Sequence, residues 1–250
     1  MLLAIDVGNT NTVFGFHDGG EWGPVWRLTT RAEATAHDWL AALRALSASR
    51  DARQPTAAIC ASVVPTADAA LAVAVHELYR IPVRFVSPEG VSGLRIEYEP
   101  PSAVGADRIA NAIAVRELYG TPAVVVDFGT ATTFDAVTDD AYVGGAILPG
   151  PVLSMEALFH RTAKLPRVAV EPPAHAIGRT TTESIQSGLV LGYASAIDGL
   201  ARRIVAELGG SARVIATGGL APMFAPLCES IEAVSPHLTI EGLRLIAQSD

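Results

Sequence analysis

A chain of 250 residues that is half hydrophobic, 18% charged and 6% aromatic can bury a large core and is not composed like a disordered segment. Few aromatic rings and a formal net charge of -8 exclude a base-stacking platform or a protein that tracks nucleic-acid backbones. Length alone allows one large domain or two compact halves.

The run before Asp6 has no basic start and no cleavage-like site, so no signal peptide is expected there. No apolar run nears the roughly 18 residues that would cross a bilayer. Cys60 and Cys228 stand far apart in apolar contexts, outside any C-x-x-C arrangement. They are expected to be buried, reduced thiols of a soluble cytoplasmic protein.

In chain order, LLAID reads as a short buried strand, and NTVFGFHD and GPVWRLTT as the next two, with turn chemistry in DGGEWG. Residues 35–48 place Trp39, Leu40, Leu43 and Leu46 at helical spacing behind a Thr35 N-cap. AAICASVV is a strand, residues 66–79 a helix, and VRFVS a strand. A helix then begins near Gly105. AVVVDFGTATTFDAV reads strand, turn, strand, and AYVGGAIL adds a third. Helices are expected over about 151–162 and 181–207, then a strand in ARVIATGG and a terminal helix in TIEGLRLIAQ.

The second half repeats the first. Asp6-Val7-Gly8-Asn9-Thr10-Asn11-Thr12 lies over Asp127-Phe128-Gly129-Thr130-Ala131-Thr132-Thr133, each behind an apolar strand and leading into another. This predicts two related α/β halves, residues 1–117 and 118–250, with a cleft between them. In each D-x-G-x-x-T turn the glycine allows close backbone approach, while hydroxyls and successive N–H groups can donate to phosphate oxygens. The strand-end aspartate offers a carboxylate to a metal ion or its water. One copy alone is better explained as hairpin chemistry. Two copies in matching contexts favour a phosphate cradle.

The paired turns resemble the acetate and sugar kinase/Hsp70/actin superfamily. DVGNTNT, GADRIANA, DFGTATTFD, GGAILPG, ATGGLAP and LTIEGLRLI, in that order, resemble type III pantothenate kinase over nearly the whole chain. The fold this implies is a pair of duplicated ribonuclease H-like, actin-like halves, each a mixed sheet flanked by helices. Neither G-x-x-x-x-G-K-[ST] nor G-x-G-x-x-G is present, which excludes P-loop and Rossmann sites.

The resemblance implies ATP-dependent phosphorylation of pantothenate to 4′-phosphopantothenate, the entry step of coenzyme A synthesis, by a homodimer with its pantothenate site near the subunit interface. It makes Asp107 of GADR the acceptor of the pantothenate hydroxyl proton. Without it, an acid in a first helical turn is equally well explained by the helix dipole. Tyr98, Gly105, Ala106 and Arg108 become substrate contacts, the guanidinium suiting an acidic molecule. Thr181 joins them, although Thr180-Thr181-Thr182 stands where the family has asparagine then threonine, and the choice among three hydroxyls stays open. Thr180 and Glu183 also stand at capping-box spacing.

Asp6, Val7, Gly8, Asn9, Thr10, Asn11, Thr12 and Val13 resemble the first ATP phosphate segment, and Thr130 the second. Asp127 resembles the ligand for potassium or ammonium, with magnesium on the nucleotide. ATGGLAP resembles the adenosine turn. The alternative is a catalytically silent regulatory protein of the same fold, acting as a transcriptional accessory factor.

Overall fold

The structure is a computed structural model that describes residues 1–48, 54–91 and 93–249. It divides into two units, Met1–Ala114 with Leu238–Asp250, and Val115–His237.

The first unit opens with β1 (Leu2–Val7), β2 (Asn11–His17) and β3 (Trp26–Thr29), followed by α1 (Ala36–Ala48), β4 (Ala57–Ser62), α2 (Pro65–Tyr79) and β5 (Val83–Phe85). A two-residue strand, β6 (Arg95–Ile96), precedes α3 (Ala106–Tyr119), within which the unit boundary falls. The strand order is β3-β2-β1-β4-β5, with β1 antiparallel to β2 and parallel to β4. Leu3, Ile5 and Val7 share a core with Ala58 and Cys60 and with Leu40, Leu43, Leu71 and Val75 of α1 and α2. That is the period-2 burial a sheet face requires, met by the helical spacing expected of residues 35–48. Thr35 starts α1 as expected: its hydroxyl accepts the Asp38 N–H at 3.2 Å, and Asp38 accepts the Thr35 N–H at 2.8 Å.

The second unit contains β7 (Ala123–Phe128), β8 (Ala131–Val137), β9 (Ala141–Pro149), α4 (Pro151–Arg161) and α5 (Thr181–Gln186). A π-helical turn over Ser187–Gly192 leads into α6 (Tyr193–Glu207), then β10 (Arg213–Thr217), α7 (Ala221–Phe224) and β11 (Ala233–Val234). The helix expected over 181–207 therefore widens in its middle, where Gly188 and Gly192 flank Leu189 and Val190. The strands run β11-β10-β7-β8-β9, with β7 antiparallel to β8 and parallel to β10. These are the pairings of β1 with β2 and β4, so the duplication read in the sequence extends to topology. Val124, Val126, Phe128 and Phe134 form this unit's core with Ile197, Ala201 and Phe224, and Phe128 stacks on Phe224 at 5.3 Å.

The terminal helix, α8 (Leu238–Gln248), belongs to the first unit, which contiguous halves of 1–117 and 118–250 do not provide for. Its face of Leu238, Ile240, Leu243 and Ile246 is buried. Glu241 accepts the Trp22 indole N–H at 2.7 Å, and Thr239 Oγ1 donates to Asn111 Oδ1 at 2.9 Å. Both cysteines are buried and unpaired, as expected. Burial, and secondarily Asp198, pushes the Cys228 thiol up to about 12. Among the described residues no helix is long and apolar enough to cross a membrane.

Candidate active site

The first turn joins β1 to β2. Asp6 is half-buried between the fully buried Ile5 and Val7 near the end of β1, Gly8 donates its N–H to Asn11 O at 3.0 Å, and Asn9 and Thr10 stand exposed at the tip. The base is fixed: Thr12 is fully buried with its hydroxyl 2.8 Å from that of Thr30, and Thr30 N–H donates to Thr10 O at 2.9 Å. A rigid base beneath an exposed glycine-containing tip is the geometry an anion cradle needs.

The second turn joins β7 to β8 and is one residue shorter. Asp6 pairs with Val13 and Val7 with Thr12, whereas Asp127 pairs with Thr133 and Phe128 with Thr132. Thr12 therefore corresponds to Thr132, which is also fully buried, and not to Thr133 as direct superposition of the sequences suggests. The two turns match through their glycines and slip by one beyond them. Gly129 and Thr130 are exposed, and Gly129 donates to Ala131 O while Thr130 O accepts the Gly150 N–H, each at 3.1 Å.

The ATGG segment lies directly behind this second turn. Thr217 is the register partner of Asp127 on β10. Gly218 has φ +91°, and a methyl placed on it would meet the Asp127 carboxylate and approach Phe128 N to 2.7 Å. Only glycine accepts both that dihedral and that proximity. The segment read as an adenosine turn thus abuts the segment read as a phosphate turn.

The acid loop precedes and opens α3. Ile109 N–H donates to Gly105 O at 3.2 Å, and Asp107 lies in the first turn. Asp107 keeps part of its surface, yet burial raises its carboxyl above the ordinary 3.8, against the opposing pull of the Arg108 N–H and charge. That N–H donates to Asp107 Oδ1 at 2.9 Å. A methyl on Gly105 would sit 2.5 Å from the same oxygen and 3.5 Å from Val63 Cγ1. Ala106 and Arg108 are buried, and Tyr98 is half-buried in the loop before α3.

Thr180 is the N-cap of α5 in a complete capping box: its hydroxyl accepts the Glu183 N–H at 3.2 Å, and Glu183 accepts the Thr180 N–H at 3.1 Å. The helix start thus engages Thr180 and leaves Thr181 and Thr182 exposed as the first helical residues. Among the described residues no three His, Cys, Asp or Glu side chains gather where they could hold a metal ion.

Two residues near the acid loop escaped the sequence reading. Ser62 donates to Asp68 Oδ1 at 2.5 Å and accepts the Val64 N–H at 3.1 Å. The available signal was Pro65 at the first position of α2, which leaves the helix start to be capped by some neighbouring side chain.

Three comparisons bear on this site. The profile of a family described as type III pantothenate kinase matches residues 2–203. A type III pantothenate kinase from Desulfatibacillum aliphaticivorans is 49% identical over 98% of this chain and 97% of its own. That of Myxococcus xanthus is 45% identical over 98% and 97%. Among solved structures, a protein described as a Baf family transcriptional activator from Campylobacter jejuni superimposes with a TM-score of 0.64 at 19% identity, over 99% of this chain and 98% of that one. A ROK hexokinase from Thermus thermophilus gives 0.51 at 13% identity, over 100% and 99%. At such identities these two likenesses speak for the fold, which is that of actin and hexokinase.

Proposed function

The chain belongs to the type III pantothenate kinase family and phosphorylates pantothenate with ATP in coenzyme A biosynthesis; from that premise we propose that Asp107 accepts the proton of the attacking hydroxyl. The observation that carries this role is a carboxyl at a helix start whose proton affinity burial raises, beside a glycine whose missing side chain leaves room against it. Phosphoryl transfer asks of a protein chiefly positioning, charge neutralisation and a group to receive the nucleophile's proton. Burial raises the proton affinity of this carboxyl, so it holds a proton better as the bond forms.

Gly105, Ala106, Arg108, Tyr98 and Thr181 position pantothenate in this reading. Asp6 to Val13 and Thr130 hold the ATP phosphates through turn N–H groups and hydroxyls. Magnesium comes with the nucleotide in this reading. Asp127 suits potassium or ammonium in this reading: its carboxylate stands at the end of β7 beside Gly218, close enough that a methyl there would meet it. When bound, the cations offset negative charge on the phosphates.

The enzyme works as a homodimer in the cytoplasm in this reading. Val152, Leu153, Leu158 and Phe159 of α4 are exposed, with Ile147 on β9 and Ile177, at 83% exposure, in the same unit. So many exposed large apolar side chains in one unit support an interface. ADP release with Mg-ATP and pantothenate, in potassium and then sodium buffer, tests the cation assignment. Turnover that needs potassium in the wild type, with a weakened potassium response in Asp127→Asn, supports it. An unchanged potassium titration makes Asp127 a structural turn residue.

A further inference from the structure

The connection from β4 to α2 is built in an unusual way. Its N-cap is Val64, which has no side-chain group to cap the helix, and Pro65 follows at the first helical position. The capping acceptor comes from two residues earlier: Ser62 Oγ accepts the Val64 N–H at 3.1 Å and donates to Asp68 Oδ1 at 2.5 Å. A serine at the N-cap itself would satisfy the helix more simply. The arrangement instead holds residue 63 between two fixed points.

On one side of Val63 is the first phosphate turn. Ser62 is the register partner of Val7 at the parallel ends of β4 and β1, and Val63 N–H donates to Val7 O at 3.0 Å, one residue before Gly8. On the other side is the acid loop, where a methyl on Gly105 would touch Val63 Cγ1 at 3.5 Å and Asp107 Oδ1 at 2.5 Å. Val63 itself packs on the edge of the first unit's core. Its backbone is therefore tied to the phosphate turn while its side chain flanks the loop that carries Asp107.

We propose that Ser62 and Asp68 are positioning residues for the phosphoryl transfer: their hydrogen bond fixes Val63 as the spacer that sets the Gly105–Asp107 loop against the first phosphate turn. This rests on the assignment of Asp107 as proton acceptor and adds the device that sets its distance. Neither residue touches the reacting atoms; both act through Val63. A shift of the acid by a fraction of an ångström is enough to slow a reaction that depends on alignment.

The test uses the full-length protein, with Ser62→Ala, Asp68→Ala, Asp68→Asn and Val63→Ala made in the wild-type and in the Asp107→Asn background. ADP release gives kcat and both KM values, and thermal melting reports folding. In the wild-type background Ser62→Ala and Asp68→Ala lower kcat about tenfold, with KM values moving about twofold or less. Asp68→Asn keeps an acceptor at Oδ1 and restores most of the lost rate. In the Asp107→Asn background the same changes cost less than about twofold, because the group they align is gone. Val63→Ala leaves the Ser62–Asp68 bond in place and gives the same pattern, which keeps the test open if Ser62→Ala does not fold. Wild-type kcat in Ser62→Ala and Val63→Ala, or equal losses in both backgrounds, overturns the spacer while leaving Asp107 as the base. Wild-type turnover in Asp107→Asn removes the base, and the spacer with it.

Discussion

Gly105→Ala separates stability from catalysis at the acid loop. The new methyl would stand 2.5 Å from Asp107 Oδ1, whereas ordinary contact begins at 3.4 Å, so the carboxyl must withdraw by the difference. The other close neighbour, Val63 Cγ1 at 3.5 Å, needs no adjustment. The atom that moves is the end of a short side chain, and Gly105 does not require the left-handed dihedral that Gly218 does. Folding is therefore spared: removing a glycine at a compatible position gives about 0.4–1 kcal/mol back through the unfolded chain, offsetting the displacement of the carboxyl. Catalysis is not spared, since misplacing a reacting group by about 1 Å lowers rates by as much as about 100-fold. The assay is steady-state ADP release with saturating pantothenate, beside a thermal melt. The expected result is a melting temperature at or slightly above that of wild type with kcat down by between about ten- and 100-fold. Wild-type kcat in a folded Gly105→Ala protein would refute the assignment of this loop to the chemistry.

Other outcomes follow from the same structure. Burial holds the native Asp107 carboxyl above 3.8, so this group's stabilising effect is complete below that pH and is lost as pH rises through the native value. Asp107→Asn is expected to melt higher than wild type at neutral pH, with the advantage gone below pH 3.8. Asp198 runs the opposite way. Burial alone would raise it, but the Ser230 hydroxyl and the Glu229 and Ser230 N–H groups outweigh burial and hold it below 3.8. Its contribution is present above that pH and fades as pH falls through the lower native value, so Asp198→Asn should lose about 2 kcal/mol in neutral-pH denaturant melts and converge on wild type in acid. Gly218→Ala forces a methyl into φ +91° against Asp127 and Phe128. It should destabilise the protein by about 2 kcal/mol or more and raise the KM for ATP, both readable on one preparation.

What was legible in the sequence was local. D-x-G after an apolar strand announces its own turn, and finding it twice disclosed the duplication that the pairings of β1 and β7 repeat. Trp39, Leu40, Leu43 and Leu46 are buried at the spacing that predicted α1, and the Thr180–Glu183 capping box formed where its residues stood. The one-residue slip between the turns was not legible, because Asn11, Ala131 and the neighbouring threonines are all small and equally suited to either register. The home of α8 was hidden for another reason: its amphipathic face shows that it is buried but not against what, and only the sheet order brings it to β1 and β4. Ser62 and Asp68 looked like unremarkable strand-end and helix residues, since a hydrogen bond across six positions leaves no periodic trace.

The central claim is that Asp107 takes the proton of the attacking hydroxyl. The direct measurement is turnover of Asp107→Asn with Mg-ATP and saturating pantothenate, beside its affinity for ATP. The account predicts that turnover falls by about 100-fold or more while nucleotide binding stays as in wild type and the variant folds, melting at or above the wild-type temperature at neutral pH. Turnover near the wild-type rate from this folded, ATP-binding variant would contradict it.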